Sequence, residues 1–199
     1  MNDKINAFGD LHVPGNPLIL YNIWDAGSAK AVADAGAKAI ATGSWGVACS
    51  LGYKDGEALP LDAALENLRR ILSVTDLPVT IDMEAGYGAG PAAVAASVAR
   101  VADAGAVGIN LEDKDPVTRQ LFETGESAAR IKAAAVSGLW INARADLFIV
   151  TPKDQHDSAL VDAVVERAKA YADAGANSLF VPFVYDAALI AQLCEKSPL

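Results

Sequence analysis

Three stretches of the sequence decide the fold: SAKAVADAGAKAIATG at 28–43, VARVADAGAVGINLED at 98–113 and RAKAYADAGANSLFVP at 167–182. Each reads as a helix that ends at the glycine of a shared ADAGA phrase and continues into an apolar, strand-like segment. Gly36, Gly105 and Gly175 are therefore predicted left-handed C-caps. They lie 69 and 70 residues apart, twice the roughly 35 residues of one strand–helix unit. The repeat predicts a chain of recurring βα units.

The other apolar and amphipathic segments extend this pattern. Six strands are predicted, at 18–23, 38–43, 77–82, 107–111, 139–143 and 178–182. Helices are predicted near 28–35, 62–74, 91–104, 126–136 and 157–174, and a last helix begins near Tyr185. Apolar strands between helices are typical of a parallel sheet covered on both faces. Two α/β architectures fit this order: an open doubly wound sheet and a (β/α)8 TIM-type barrel.

The ends of the strands favour the barrel. The first strand leads into YNIWDAGS at 21–28, without the GxGxxG phrase of a dinucleotide-binding fold. Polar residues instead follow several different strands, as they do in barrels. A closed barrel has eight strands. Residues 1–199 are therefore expected to form a single barrel domain that is incomplete at its C-terminus, lacking the last two βα units.

Composition excludes several classes of function. Twenty-five acidic and 16 basic residues give a net charge of -9, which argues against a nucleic-acid-binding surface. No apolar run is long enough for a membrane span, and the first residues lack a secretory signal. Cys49 and Cys194 form no metal or redox motif, so a cytoplasmic protein is expected. Cys49 is expected to be packed, and His12 and His156 to be exposed.

Carboxylates at the ends of two strands predict a metal site. Asp82 and Glu84 end strand three, and Asn110 and Glu112 end strand four. Residues two apart on a strand share a face, and neighbouring strands lie about 4.8 Å apart, so Asp82, Glu84 and Glu112 are expected to converge. Such acids repel each other unless a cation lies among them, and Mg²⁺ binds one or two carboxylates while keeping several waters. The alternative is that these are ordinary acids at strand ends.

Arg144 ends strand five. It is the one positive charge expected in the mouth of the barrel, where the ends of the strands meet. Its guanidinium can hold a substrate carboxylate with two parallel hydrogen bonds. The alternative is a structural ion pair with Glu112 or Asp146.

Two further segments are candidates for the same end of the barrel. Thr42, Gly43 and Ser44 follow strand two, where backbone N–H groups and a hydroxyl suit an anion, although such stretches are commonly plain turns. Asp55 lies in a loop at 51–57 that is expected to cover the site; the alternative is a solvated turn.

At these residues the sequence resembles the isocitrate lyase/phosphoenolpyruvate mutase superfamily. Six stretches match in the family order: YNIWDAGSA (21–29), ATGS (41–44), LGYKDGE (51–57), DMEAGYG (82–88), GINLED (108–113) and INARAD (141–146). The resemblance implies a barrel that binds Mg²⁺, with Mn²⁺ as the alternative, and a small carboxylic acid substrate. It also implies a homo-oligomer.

The resemblance assigns roles to residues of this chain. Asp82 matches the direct metal ligand, and Asp55, Glu84 and Glu112 match acids that hold the metal through water or shape the site. Arg144 matches the arginine that binds the substrate carboxylate, and Thr42, Gly43 and Ser44 match the loop that holds the other anionic end. Asp55 and Arg144 are the predicted catalytic residues.

Departures from the family pattern narrow the expected activity. The segment EDKDPVTRQLF at 112–122 has no cysteine or histidine, so the general acid of isocitrate and methylisocitrate lyases is absent. Lys114 and Arg119 are present, but the asparagine of phosphonopyruvate enzymes is not. Glu84 stands where many members have a second aspartate.

The function predicted from the residues and the resemblance together is a Mg²⁺-dependent lyase. It would cleave a C–C bond of a small 2-oxo or 2-hydroxy dicarboxylate through an enolate, as an oxaloacetate decarboxylase does. The alternatives are P–C bond chemistry of the phosphonopyruvate hydrolase or phosphoenolpyruvate mutase kind, and a barrel that binds a small acid without turnover.

Overall fold

The computed structural model describes residues 2–199 as one parallel sheet with helices packed against it. The strands are β1 (Asn22–Ile23), β2 (Ile40–Thr42), β3 (Val79–Asp82), β4 (Gly108–Glu112), β5 (Trp140–Arg144) and β6 (Ser178–Phe180). The helices are α1 (Asn2–Gly9), α2 (Ala26–Asp34), α3 (Ser44–Ser50), α4 (Leu61–Leu72), α5 (Pro91–Ala104), α6 (Thr124–Ala135), α7 (Leu147–Val150), α8 (Ser158–Asp173) and α9 (Ala187–Lys196), with a short 3-10 turn at Lys153–Gln155.

The strand order separates the two predicted architectures. The strands lie in the order β1-β2-β3-β4-β5-β6, and every pair is parallel. A doubly wound sheet contains a point where the order reverses, whereas a barrel adds each strand beside the preceding one. The sequential order confirms the prediction of a barrel-type α/β fold. Strands β1 and β6 are the two edges of the described sheet.

The glycines of the ADAGA repeat act as predicted. Gly36, Gly105 and Gly175 have φ angles of 95°, 104° and 100°, in the left-handed region that a residue without Cβ adopts at little cost. At the end of α5, the backbone N–H of Gly105 donates to the carbonyl of Ala102 at 2.9 Å. The repeat therefore terminates three helices in the same way and sends the chain back into the sheet.

The bounds of several strands and helices differ from the sequence prediction. Strand β1 covers only Asn22 and Ile23 instead of 18–23, because its pairing with β2 is limited to Ala41 and Thr42. Helices α1, α3 and α7 are not among the predicted elements. Helix α3 starts directly after β2, with Gly43 as its N-cap, so a segment that reads as a loop forms two helical turns.

The two faces of the sheet differ in chemistry. On the face toward the helices, Ile40, Ile81, Ile109 and Ile141 are buried in the main core, and each fully buried isoleucine contributes roughly 1.5–3 kcal/mol. The opposite, inner face carries polar side chains: Asn22, Thr80, Asn110 and Asn142 line a cavity of about 340 Å³ together with apolar and aromatic residues. Within it, Asn142 Nδ2 donates to Asn110 Oδ1 at 2.8 Å. This polar face leads to the carboxyl ends of the strands.

Candidate active site at the carboxyl ends of the strands

Asp82 is the last residue of β3 and is largely buried, with 9% of its side chain exposed. Its backbone N–H donates to Thr42 Oγ1 at 3.1 Å. Its carboxylate accepts two long backbone hydrogen bonds, Oδ1 from Glu84 at 3.2 Å and Oδ2 from Ser44 at 3.3 Å. A carboxylate offers about four lone-pair sites, so Asp82 retains acceptor capacity toward a ligand. Arg144 Nη1 lies 4.0 Å from Asp82 Oδ2.

Arg144 and Glu112 lie side by side, because they are the last residue pair in the register of β4 and β5. Arg144 Nη1 lies 2.9 Å from Glu112 Oε2. The other edge of the guanidinium binds Asp146, with Nε donating to Oδ1 at 2.6 Å and Nη2 to Oδ2 at 2.9 Å. The structural ion pairs considered as the alternative role of Arg144 are therefore both present. The fork of Nε and Nη2 is occupied by Asp146, and Nη1 is the nitrogen that faces Asp82.

Burial and charge act in opposite directions on this pair. Burial raises the pKa of Glu112 to about 8, and Arg144 acts to lower it. For Arg144, burial acts to lower the pKa, but the charges of Glu112 and Asp146 outweigh it and the pKa is raised. The guanidinium therefore stays charged.

Lys114 also lies beside these carboxylates, where the sequence analysis did not place it. It is almost fully buried, pairs closely with Asp146 through Nζ, and lies 3.7 Å from Glu112 Oε1. The prediction that Arg144 is the only positive charge here is wrong. Arg144 lies near Asp82, Glu112 and Asp146, and Lys114 adds a second cation beside the last two of these. Strand alternation could not have placed it, because β4 ends at Glu112.

Asp113 anchors this ion-pair network from behind. Its Oδ1 accepts the backbone N–H of Asp146 at 2.8 Å. Its Oδ2 accepts the hydroxyl of Tyr171 at 2.7 Å and Arg167 Nη1 at 3.1 Å. Both of these donors lie on α8. Burial raises the pKa of Asp113, while the Asp146 N–H, Tyr171 and Arg167 act to lower it. Helix α8 is thereby connected to the residue that orients Arg144.

Glu84 departs from the predicted geometry. Strand β3 ends at Asp82, and Glu84 has a left-handed backbone with φ 48°. The expectation that Asp82 and Glu84 share a strand face is therefore wrong. The Glu84 carboxylate accepts the backbone N–H groups of Gly56 at 2.7 Å and Glu57 at 2.9 Å. Burial raises its pKa to about 7, and the Glu57 N–H acts to lower it.

Asp55 belongs to the loop that meets Glu84. Residues 51–55 are exposed, and the N–H groups that follow, of Gly56 and Glu57, contact Glu84. These contacts bring the loop to the turn after β3, and its role as a cover of the site stays a prediction. Asp55 itself stands at the exposed rim, with its charge acting to raise the pKa of Glu84.

The segment of Thr42, Gly43 and Ser44 lies against Asp82. The Thr42 hydroxyl accepts the backbone N–H of Asp82, and the Ser44 N–H donates to the Asp82 carboxylate. A Cβ at Gly43 would lie 3.1 Å from Asn22 Nδ2, so the glycine permits a close approach to β1. The donors expected to hold an anion are thus directed in part at a protein carboxylate. The roles of these three residues in substrate binding stay predictions.

The oxygen ligands at this mouth fit Mg²⁺ through few direct contacts. Within residues 2–199, no three His, Cys, Asp or Glu side chains are arranged to hold a metal ion together. Asp82 has free acceptor capacity, and Glu112 offers a second buried carboxylate beside it. Mg²⁺ commonly takes one or two carboxylates and keeps several waters, so this donor set suits it.

The cysteine and histidine expectations need correction. Cys49, on the short helix α3, is exposed and not packed. His12 is partly buried and stacks on Trp140 with ring centroids 4.6 Å apart. His156 is partly buried too, packs edge-on against Phe148, and its Nε2 lies 3.0 Å from the carbonyl of Thr151. Across residues 2–199, no helix has the length and apolar character needed to cross a membrane.

Comparisons with known proteins agree with the geometry. A crystal structure of a proposed phosphonomutase from Burkholderia cenocepacia J2315 is 49% identical, with a TM-score of 0.97 over 100% of this chain and 81% of that one. The 2-methylisocitrate lyase of Escherichia coli (strain K12) is 32% identical over 205 residues, covering 93% of this chain and 67% of the relative.

A third likeness concerns the fold alone. A phosphonopyruvate hydrolase solved in complex with oxalate and Mg²⁺ is 24% identical, with a TM-score of 0.85 over 98% of this chain and 69% of that one. The family model described as phosphoenolpyruvate phosphomutase matches residues 8–199. This chain therefore belongs to the phosphoenolpyruvate phosphomutase family, within the isocitrate lyase/phosphoenolpyruvate mutase superfamily.

Proposed function

We propose that the chain is a Mg²⁺-dependent lyase that cleaves a carbon–carbon bond of a small 2-oxo or 2-hydroxy dicarboxylate, with oxaloacetate decarboxylation as the model reaction. Membership of the family makes the chain an enzyme of the lyase and mutase class. The observation that carries the proposal is the meeting of Asp82, Glu112 and Arg144 at the ends of β3, β4 and β5. Hard oxygen ligands beside a fixed guanidinium suit a chelated metal and an anionic substrate.

In this proposal Mg²⁺ would supply Lewis-acid chemistry at a substrate carbonyl oxygen. Asp82 would hold the metal directly, through the acceptor capacity that its two long hydrogen bonds leave free. Glu112 lies on the neighbouring strand and holds Arg144 Nη1.

Arg144 orients the substrate in this proposal. Asp146 fixes the guanidinium through Nε and Nη2, so Nη1 is directed toward Asp82 and binds the substrate carboxylate. Lys114 Nζ pairs directly with the Asp146 carboxylate. Asp55 stands at the rim, on the loop that covers the bound substrate. A guanidinium that is already fixed needs little reorganisation when a carboxylate arrives, which favours catalysis.

A panel assay tests this function. The purified chain is incubated with 2-oxo dicarboxylates, 2-hydroxy dicarboxylates and phosphonopyruvate, with Mg²⁺ or with EDTA, and the products are identified by mass. We expect Mg²⁺-dependent C–C cleavage that Asp82→Asn lowers at least about a hundredfold. Asp76→Asn is the matched control, because Asp76 is exposed in the segment that precedes β3, and it should stay active. Turnover that survives both EDTA and Asp82→Asn would refute the proposal.

A second candidate is P–C bond chemistry, which the 49% identical proposed phosphonomutase favours. The same panel separates the two functions. Release of inorganic phosphate from phosphonopyruvate would indicate a hydrolase, and formation of phosphoenolpyruvate would indicate a mutase. Binding of an acid in calorimetry without any product would indicate a barrel that binds without turnover.

A further inference from the structure

Four residues join two loops at the mouth of the site. The carboxylate Oε2 of Glu84 accepts the N–H groups of Gly56 and Glu57. In return, Glu57 Oε1 accepts the N–H of Tyr87 at 2.8 Å, and the Tyr87 hydroxyl lies 3.4 Å from Glu84 Oε1. We call Gly56, Glu57, Glu84 and Tyr87 the acid latch. It ties loop 51–58 to the loop between β3 and α5.

The backbone directs Glu84 into this latch. Its φ of 48° and the φ of 58° at Glu57 lie in the left-handed region, which non-glycine residues occupy where their surroundings enforce it. The carbonyl of Glu84 accepts the N–H of Glu112 at 2.8 Å, so the turn after β3 is fixed to the end of β4. With the backbone turned in this way, the side chain reaches sideways to loop 51–58.

We propose that Glu84 is a positioning residue that holds loop 51–58 in place and is not a metal ligand. Its side chain is buried, with 3% of the residue exposed, and one of its oxygens accepts two N–H groups within hydrogen-bonding distance. An aspartate would be one methylene shorter and could not reach both amides from the same backbone.

The latch controls the position of Asp55, the residue directly before Gly56. Residues 51–55 are exposed, whereas Leu59 is buried. Gly56 and Glu57 therefore connect the exposed part of the loop to the buried residue that follows it. The consequence for catalysis through Asp55 rests on the proposed function. The latch itself does not, because all of its hydrogen bonds join groups of this chain.

Two substitutions at Glu84 distinguish the effect of side-chain length from the effect of charge. Glu84→Gln keeps the length and an oxygen acceptor but loses the charge, whereas Glu84→Asp keeps the charge but loses the length. Holding the loop requires the full length of the residue 84 side chain. The glutamine variant should therefore resemble the wild type, and the aspartate variant should not. A metal ligand requires charge, which predicts the opposite order. The surface variant Glu66→Asp on α4 is the matched control, because Glu66 is exposed.

The measurements use the chain with EDTA and without substrate. They are hydrogen exchange of the Gly56 and Glu57 amides by NMR and cleavage by trypsin after Lys54. We expect Glu84→Asp to accelerate both at least about tenfold and Glu84→Gln to change them less than about threefold. If the aspartate variant is protected as well as the glutamine variant or better, the proposal is overturned.

Two further measurements test the proposal independently of the Glu84→Asp variant. If Glu84→Asp does not fold, the wild-type amides decide: Gly56 and Glu57 should exchange at least about tenfold more slowly than Asp55, and equal rates would overturn the latch. In calorimetry, Glu84→Gln should bind Mg²⁺ within about threefold of the wild-type affinity, and a larger loss would overturn the claim that Glu84 is not a ligand. If the wild type binds no Mg²⁺, the proposed function fails while the exchange data still test the latch.

Discussion

Tyr171→Phe tests whether the network behind Arg144 stabilises the protein. Tyr171 is fully buried on α8. Its hydroxyl donates to Asp113 Oδ2 at 2.7 Å and accepts from Arg167 Nη1 at 3.2 Å. Phenylalanine keeps the ring in place and removes only the oxygen, so the substitution deletes these two hydrogen bonds without creating a large cavity.

The expected loss follows from the charge of the partners. A hydrogen bond to a charged group contributes about 1.5–3 kcal/mol net, and a buried group that loses its partner carries a similar penalty. Asp113 keeps the Asp146 N–H and Arg167 as partners, which limits the penalty. We expect a loss of about 2 kcal/mol in the free energy of unfolding. For a chain of this size that corresponds to a fall in Tm of roughly 4–8 °C.

Denaturant and thermal unfolding measure this loss. Tyr53→Phe is the control, because Tyr53 is 42% exposed, and it should change stability by less than about 0.5 kcal/mol. A double-mutant cycle with Asp113→Asn should give a coupling energy of at least about 1 kcal/mol between the two side chains. A loss below about 0.5 kcal/mol in Tyr171→Phe, or a cycle without coupling, would refute the reasoning.

Two other predictions concern the site and its frame. Arg144→Lys should lower kcat/KM at least about tenfold in steady-state kinetics, because an ammonium cannot bind Asp146 with two bonds and also reach Glu112; near-wild-type kinetics would contradict this. Gly88→Ala should destabilise the fold by at least about 2 kcal/mol in denaturant unfolding, since the new Cβ would lie 2.6 Å from a backbone nitrogen of α5. Gly125→Ala, with no atom within 4 Å of the new Cβ, is the control and should unfold like the wild type.

The fold was predictable because its signals are local. The glycine that ends each repeat and the apolar segment after it specify where a helix stops and a strand begins. The pairs on β4 and β5 were predictable for the same reason: Glu112 and Arg144 lie at strand ends with regular alternation, and the structure brings them together.

The remaining contacts of the site join residues that are distant in the sequence, so no local pattern indicates them. The alternation rule failed at Glu84 because the strand ends two residues earlier and the backbone turns left-handed. Asp113 binds Tyr171, which lies 58 residues further along the chain. Lys114 and Asp146 meet only once two loops have packed. Such pairings require the tertiary structure, because residue types and spacing alone leave many partners open.

The sequential order of the strands has a consequence for how the chain folds. Paired residues of neighbouring strands are separated by between 19 residues (Ile23 with Thr42) and 39 residues (Ile40 with Val79). Loops of this size differ little in closure entropy, so each strand can dock on its predecessor during synthesis without waiting for the end of the chain. The bond between Asp113 and Tyr171 spans 58 residues and crosses more than one such unit. The sheet can therefore assemble while the chain is still being made, whereas the support behind Arg144 forms only after α8 has emerged from the ribosome.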